Sequence, residues 1–237
     1  MNGKIIICVC TLVHNWYQMR YIFSFLLLLF LQTSVSAQGQ IILQDKPFSY
    51  NAPVDTNLWA TLQTAPNFLT LSTEQKWMFY WTNLFRRNPQ WFFGTIVRSF
   101  LDQFPEANTA EAVSLEADIQ QASPLPFLFP DNGLTKMAQL HAKDMASRNG
   151  IITHTSSSGK QFAQRLREAG RYPCGAENVF SGSQAALEAL IILLLDHGVA
   201  DKGHRINLLD PTYTIMGAAT SIIKSGRHVW VQEFGCR

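Results

Sequence analysis

The amino-acid sequence predicts an α+β layered domain, made of helices and a late antiparallel pair of strands. Two observations carry this prediction. Several segments between residues 72 and 198 repeat apolar side chains every three or four positions, which is the period of a helix with one buried face. The chain then alternates over about 213–222 and 228–235, joined by a Lys-Ser-Gly-Arg turn, as two paired strands do. Helices combined with such a pair favour a layered architecture.

The first predicted helix covers residues 72–88. Ser72 and Gln75 have the spacing of a capping box, and the helix must end near Asn88 because a proline follows. Its apolar stripe consists of Trp77, Tyr80, Trp81, Leu84 and Phe85. Upstream, residues 38–72 contain prolines and have no clear period, which predicts an extended N-terminal arm.

Three further helices are predicted at about 106–121, 133–148 and 183–198. The last is apolar nearly all round, so we expect it to be buried. In the helix at 133–148, His141 lies on the apolar stripe. A histidine in that position is usually a hydrogen-bonded core residue, and we expect this role for His141.

Residues 1–37 have the order of a secretory signal peptide. A positive residue precedes an apolar run, and small residues follow it up to Ala37, where we expect cleavage. The apolar run from Tyr21 to Leu31 is shorter than the about 20 residues that span a bilayer. Met19 is a possible alternative start. The mature chain is therefore expected to be secreted, into the periplasm or the medium, without a transmembrane span.

Removing this leader changes the charge and the cysteine count. Lys4 and Arg20 account for the formal net charge of +2, so the mature chain carries no surplus positive charge. This disfavours nucleic acid as a partner. Cys174 and Cys236 remain, and in an exported chain two distant cysteines predict one disulfide, with two unpaired buried thiols as the alternative.

Four acid or imidazole side chains are candidates for a functional site. His154 and Glu177 lie in segments that favour polar turns, Asp196 ends the last helix, and His204 follows in a charged loop. A carboxylate in the last turn of a helix faces the negative end of the helix dipole, which costs up to about 1 kcal/mol. A cation, a protonated histidine, a metal ion or a nearby lysine would offset that cost. Chance also supplies such a set, so a shared site is one of two alternatives here.

Nearby polar residues favour structural roles. Arg205 and Asn207 are expected to hold the loop through hydrogen bonds to the backbone. Ser156, Ser157 and Ser158 have no nucleophile elbow around them, which disfavours a serine hydrolase.

Several sequence blocks, in this order and spacing, resemble the CAP superfamily of cysteine-rich secretory proteins, venom allergens and pathogenesis-related proteins. The blocks are NLFRRNP, LHAKDMASRNGIITHTSSSG, GAENVFSG, LLLDHGVADKGHRINLLDPTYTIMGAA and VWVQEFG. The resemblance extends over about residues 73–236, and it implies a CAP domain at 73–237. The chain looks most like the bacterial-type SCP branch, because it lacks numerous disulfides. It has an aspartate where many members have glutamate, and it lacks their tryptophan at this helix end.

The resemblance implies an α–β–α sandwich with a small antiparallel sheet between helices. It also implies an open cleft lined by two histidines and two acids, which by motif are His154, Glu177, Asp196 and His204. We expect the two imidazoles to approach each other across this cleft, with the acids beside them. In some members the histidine pair binds a divalent metal, often zinc, which here assigns His154 and His204 as the metal ligands.

Three function classes follow from these observations. The first is a non-enzymatic secreted protein whose cleft binds a small amphipathic ligand such as a lipid, a metal ion, a peptide or a glycan. The second is a hydrolase, for example a peptidase, that uses a histidine as base with a metal or acid partner. The third is a surface-interaction protein with a vestigial cleft. The first class is the prediction favoured here.

Overall fold

A four-stranded sheet forms the centre of the computed structural model, which describes residues 47–48, 50–51 and 53–237. In chain order the strands are β1 (Phe129–Pro130), β2 (Gly175–Gly182), β3 (Ile215–Ile222) and β4 (His228–Gly235). They lie in the order β1-β3-β4-β2. β3 and β4 are the antiparallel pair that the alternating tail predicts, so that prediction is confirmed. The predicted leader, residues 1–37, lies outside the described residues.

Two features of the sheet differ from the expectations. The short β1 runs parallel to β3, so the sheet is mixed and not purely antiparallel. The turn expected around Glu177 is wrong, because this residue lies on β2, directly opposite Glu233 of β4. Flanking glycines and an Ala-Glu-Asn start hide the strand in the sequence. The pairing places two acidic side chains side by side in the middle of the fold.

Helices cover both faces of the sheet. They are α1 (Thr56–Gln63), α2 (Thr73–Arg87), α3 (Pro89–Phe92), which continues through a π-helical turn (Phe93–Val97) into α4 (Arg98–Gln103), α5 (Ala110–Gln121), α6 (Asn132–Ser147), α7 (Phe162–Ala169), α8 (Ala186–Leu195) and α9 (Gly203–Leu209). The four predicted helices correspond to α2, α5, α6 and α8, and α2 begins with the predicted Ser72–Gln75 capping box.

The core consists of two apolar layers on opposite faces of the sheet. Ala218 and Trp230 pack with α2 and α8, whereas the adjacent residues Ala219 and Val231 pack with α6. Adjacent strand residues point to opposite faces, so the sheet separates the two helical layers. α6 approaches β3 so closely that a Cβ on Gly217 would lie 2.1 Å from a backbone carbon of α6. The predicted α–β–α sandwich is confirmed.

The expectation of an extended arm over residues 38–72 is wrong for its second half. Asp55 caps α1 by accepting a hydrogen bond from a backbone N–H, and a 3-10 helix (Pro66–Thr70) follows. Leu58 and Leu62 of α1 are buried in the core. These two leucines are four positions apart, which suits a single helical turn, but the segment is too short for its period to stand out between prolines.

Arg86 joins the loops beneath one helical layer. This residue of α2 is fully buried, and its guanidinium donates hydrogen bonds to backbone carbonyl oxygens only. The acceptors are the carbonyls of Pro126, Leu208, Asp210 and Tyr213, at 2.9 to 3.1 Å. Burial lowers the pKa of Arg86 to about 10, so the side chain stays charged at neutral pH. One side chain thereby fixes the paths of two loops.

The predicted disulfide is confirmed. Cys174, just before β2, is bonded to Cys236, just after β4, with their Cα atoms 5.5 Å apart. In the chain-entropy account, closing a loop of this length contributes roughly 4 kcal/mol to stability. Among the described residues, no helix has both the length and the apolar character needed to cross a membrane.

Candidate functional site

Two histidine–carboxylate pairs make up the candidate site, and the first joins His154 to Glu177. The imidazole Nδ1 lies 2.8 Å from Oε1 of Glu177. The carboxylate is buried on β2, whereas the His154 side chain is 58% exposed. A carboxylate acceptor fixes the proton of the ring on Nδ1. The Nε2 atom of His154 is therefore the one directed away from the pair.

The Glu177 carboxylate belongs to a larger buried cluster. Its Oε2 accepts a hydrogen bond from Nη2 of Arg165 at 2.6 Å, and Nη1 of the same guanidinium lies 3.2 Å from Oε1 of Glu233. Nε2 of His141 lies 3.7 Å from Oε2 of Glu177 and donates to the carbonyl of Thr153 at 2.8 Å. His141 is thus a buried, hydrogen-bonded core histidine, as predicted.

The charges of this cluster are distributed unevenly. Burial by itself would raise the pKa of Glu177, but the His154 hydrogen bond, the neighbouring Glu233 carboxyl and the Arg165 charge together lower it. Burial and the neighbouring Glu177 carboxylate raise the pKa of Glu233 well above its usual range. One proton therefore stays on Glu233 over a pH range in which Glu177 is ionised and balanced by Arg165.

The second pair joins His204 to Asp196. Nδ1 of His204 lies 2.5 Å from Oδ1 of Asp196, and both side chains are buried, with His204 10% exposed. Asp196 follows α8 in the left-handed conformation (φ 56°) and also accepts the backbone N–H of Arg205 at 2.8 Å. These donors supply the compensation expected for an acid at a helix end. His204 lies in the first turn of α9 and not in a loop, which corrects the expectation.

Arg205 and Asn207 hold this junction together. Arg205 donates to the backbone carbonyls of Leu194 and Leu195 at the end of α8 and forms an ion pair with Asp118. Helix carbonyls at a C-terminus lack partners within the helix, so the guanidinium satisfies them. Asn207 donates to Oδ1 of Asn178 at 2.8 Å. The expected backbone contacts are confirmed for Arg205, whereas the shorter hydrogen bond of Asn207 is to a side chain.

A buried asparagine connects the two pairs. Asn178 follows Glu177 on β2, and its side-chain amide donates to the backbone carbonyl of His204 at 3.3 Å. The first pair is thereby tied to α9 through one strand residue. The approach of the two imidazoles across one open cleft stays a prediction.

A cavity of about 510 Å³ lies next to the cluster. Its lining includes His141, Arg165, Asp144, Lys160 and Met137. None of the four predicted site residues is part of this lining, as far as the described residues show.

A metal ion would have few protein ligands here. Each Nδ1 is engaged by a carboxylate, so His154 and His204 would each coordinate through Nε2, as ligating histidines commonly do. In the part of the chain that the structure describes, no group of three or more His, Cys, Asp or Glu side chains is placed to hold an ion. An ion held by these two imidazoles alone would need water or ligand atoms to complete its coordination.

Sequence reasoning missed Arg165 and Glu233 as members of the site. Arg165 lies in α7, which the periodicity did not identify, and it meets β2 and β4 only after α7 has packed. Glu233 did carry a signal. It is an acidic residue within the otherwise apolar VWVQEFG strand, and a charge buried in a strand interior requires a partner.

Comparisons with known proteins agree with this architecture. A family model described as "CAP: Cysteine-rich secretory protein family" matches residues 80–234. The uncharacterized protein YkwD of Bacillus subtilis (strain 168) is 26% identical over 129 residues, which cover 54% of this chain and 46% of that protein. The match therefore spans about half the length of this relative.

Solved structures are also similar. An extracellular SCP-domain protein from Bacillus anthracis has 25% identity and a TM-score of 0.39, covering 48% of this chain and 35% of that protein. NaASP2, solved with Zn²⁺, has 17% identity and a TM-score of 0.40, covering 70% and 80% of the two chains.

Proposed function

Since the chain belongs to the cysteine-rich secretory protein (CAP) family, we propose that it is an exported, non-enzymatic binding protein. Its binding site would combine His154 with Glu177 and His204 with Asp196, and it would take a divalent metal ion or a small ligand. Export is supported by the signal-peptide pattern of residues 1–37 and by the disulfide, which persists in oxidising compartments.

The observation that carries this proposal is the shared geometry of the two pairs. In both, Nδ1 of the imidazole lies within hydrogen-bond distance of a buried carboxylate. This contact sets the tautomer that leaves Nε2 as the coordinating atom, which suits coordination of zinc. The 58% exposure of His154 makes its Nε2 reachable from solvent without unfolding.

The same geometry argues for binding without turnover. A histidine on a carboxylate is a capable general base, but hydrolysis also requires a nucleophile or an activated water. In the described residues, no hydroxyl or thiol is hydrogen-bonded to the imidazole of His154. The protein groups around His154 orient the ring.

Isothermal titration of the full chain with zinc chloride at pH 7 tests the site. We expect saturable binding of one ion per chain, lost in His154→Ala, whose exposed ring contributes little to folding. His228→Ala is the matched control, because His228 lies at the other end of β4 and is hydrogen-bonded to Thr220. Equal zinc binding by the wild type and His154→Ala would refute the proposed site.

Turnover and export are tested separately. A screen against peptide and ester substrates should show no activity that depends on His154, and activity lost in His154→Ala would refute the non-enzymatic assignment.

Intact mass of protein from the culture medium or periplasm should match a chain that begins at residue 38, with one disulfide. Retention of residues 1–37 in the cytoplasm would refute export.

A further inference from the structure

A second cavity lies far from the histidine pairs in sequence, where the segment before α1 meets α2 and α3. Its volume is about 340 Å³, within the range of about 300–1,000 Å³ typical of small-ligand sites. Aromatic residues dominate the wall, and they include Tyr50, Tyr80, Trp81 and Trp91. We call this cavity the aromatic groove.

The aromatic walls present both flat faces and hydrogen-bond donors. Trp91 is 42% exposed, an unusual position for so large an apolar ring. Trp81 stacks on Trp77 with an interplanar angle of 22°, which fixes its orientation. The buried indole of Trp230 donates to the carbonyl of Ser183, whereas the indole N–H groups of Trp81 and Trp91 have no partner among the described residues. Within the described part of the chain, both indoles therefore retain a donor that a ligand could use.

The described polar residues of the groove carry no net charge. Among them, Asp55 and Arg87 are the ionisable residues other than tyrosines, and they form an ion pair at 2.5 Å. The backbone N–H of Asp55 donates to the hydroxyl oxygen of Tyr80 at 2.9 Å, which leaves the hydroxyl proton available to a ligand. Burial raises the pKa of Tyr80, so this proton is retained. A neutral ligand suits this lining better than an ion.

We propose that the aromatic groove binds a neutral saccharide of one or two rings. The C–H face of a pyranose ring is flat and apolar, and it would lie against the exposed indole of Trp91. Sugar hydroxyls both donate and accept, so they would pair with the unused indole N–H groups, the Tyr80 hydroxyl and the Asp55–Arg87 pair. A quaternary ammonium ion would also stack on aromatic rings, but Arg87 opposes a cation.

An array of neutral and anionic oligosaccharides, probed with the full chain, tests this proposal. We expect binding to neutral glycans, followed in solution by quenching of tryptophan fluorescence with the free disaccharide. Trp91→Ala should weaken this binding by about tenfold, the order expected for one lost aromatic contact. Phe129→Ala is the matched control, because Phe129 is a comparably exposed ring outside the groove.

A charge variant sharpens the test. Asp55→Asn keeps a good cap for α1 but leaves Arg87 unpaired, so we expect the preference to move towards anionic glycans. Absence of any neutral-glycan binding, or equal binding by Trp91→Ala and Phe129→Ala, would overturn the proposal. Tighter binding of choline chloride than of neutral disaccharides would also overturn it and identify a cation cage instead.

Discussion

The two histidine–carboxylate pairs use the same contact in opposite settings. His154 stands 58% exposed above a carboxylate that lies in the sheet, surrounded by Arg165 and Glu233. His204 is buried at a helix junction, where Asp196 also accepts a backbone N–H from α9. The first carboxylate is stabilised mainly by neighbouring charges, and the second by the geometry of the chain.

This difference separates an exposed ring from a structural one. An exposed ring above a charge-balanced carboxylate contributes little to the stability of the fold. A buried ring whose carboxylate also fixes a helix start contributes to stability whatever it binds. We therefore expect substitutions around Glu177 to act through electrostatics, and substitutions around Asp196 to act through local backbone structure.

The largest effect is expected for Arg165→Met. This change leaves Glu177 and Glu233 facing each other in the core without their shared cation, and breaking a buried pair costs about 3–5 kcal/mol. Urea unfolding followed by circular dichroism at pH 7 measures the loss. Combining Arg165→Met with Glu233→Gln removes one of the two acids and should restore part of the stability. A loss below about 1 kcal/mol for the single variant would contradict the electrostatic account.

Asp196→Ala should cost about 2–3 kcal/mol, because two donors lose a charged acceptor and alanine is poorly suited to the left-handed conformation. Asp196→Asn is the control, since asparagine tolerates that conformation and keeps an acceptor oxygen. The asparagine variant should lose clearly less free energy of unfolding in the same urea measurement. Equal losses would show that the carboxylate charge, and not the backbone geometry, decides stability here.

The two histidines should differ when each is replaced by alanine. His204→Ala removes a hydrogen bond to a buried charge and should cost about 1–2 kcal/mol. His154→Ala removes an exposed ring and should stay within about 0.5 kcal/mol of the wild type. Thermal unfolding of both variants measures this difference. Equal shifts in Tm would contradict a structural role for His204 that His154 does not share.

The remaining comparison concerns the pH dependence of stability. Glu233 has a raised pKa, so above pH 4.5 the folded state holds a proton that the unfolded state releases, and stability falls as pH rises. Glu233→Gln should remove this fall, by at most about 1.4 kcal/mol per pH unit. Glu177→Gln should instead weaken the loss of stability below pH 4.5, because the pKa of Glu177 is lowered. Urea midpoints measured between pH 3 and 8 test this difference. If both variants changed the profile on the same side of pH 4.5, the opposite pKa shifts of Glu177 and Glu233 would be contradicted.

The spacing of apolar residues predicted the helices and strands in which that spacing is long and regular. α2, α6 and α8, together with the β3–β4 pair, follow directly from spacing of apolar residues. α1 and α7 have eight residues each, which gives the period little length to emerge. The strand at Glu177 was hidden because its first residues are small or polar, and only pairing with β4 makes them a strand.

The site was predictable where a motif marks it and not where packing assembles it. His154, Glu177, Asp196 and His204 stand in recognisable blocks, and the structure pairs each histidine with an acid. Arg165 joins through the docking of α7, and Glu233 through the register of two strands. Both contacts depend on tertiary structure that no local spacing encodes.

The buried guanidinium of Arg86 has a consequence for how the sequence can vary. All four of its acceptors are main-chain carbonyl oxygens, which every amino acid possesses. The side chains at positions 126, 208, 210 and 213 can therefore be exchanged without removing any of these hydrogen bonds. Arg86 itself has no equivalent substitute, because lysine lacks the planar fork of donors. At the exposed acceptor position, Pro126, the surface chemistry of the loop can thus change while the loop keeps its course.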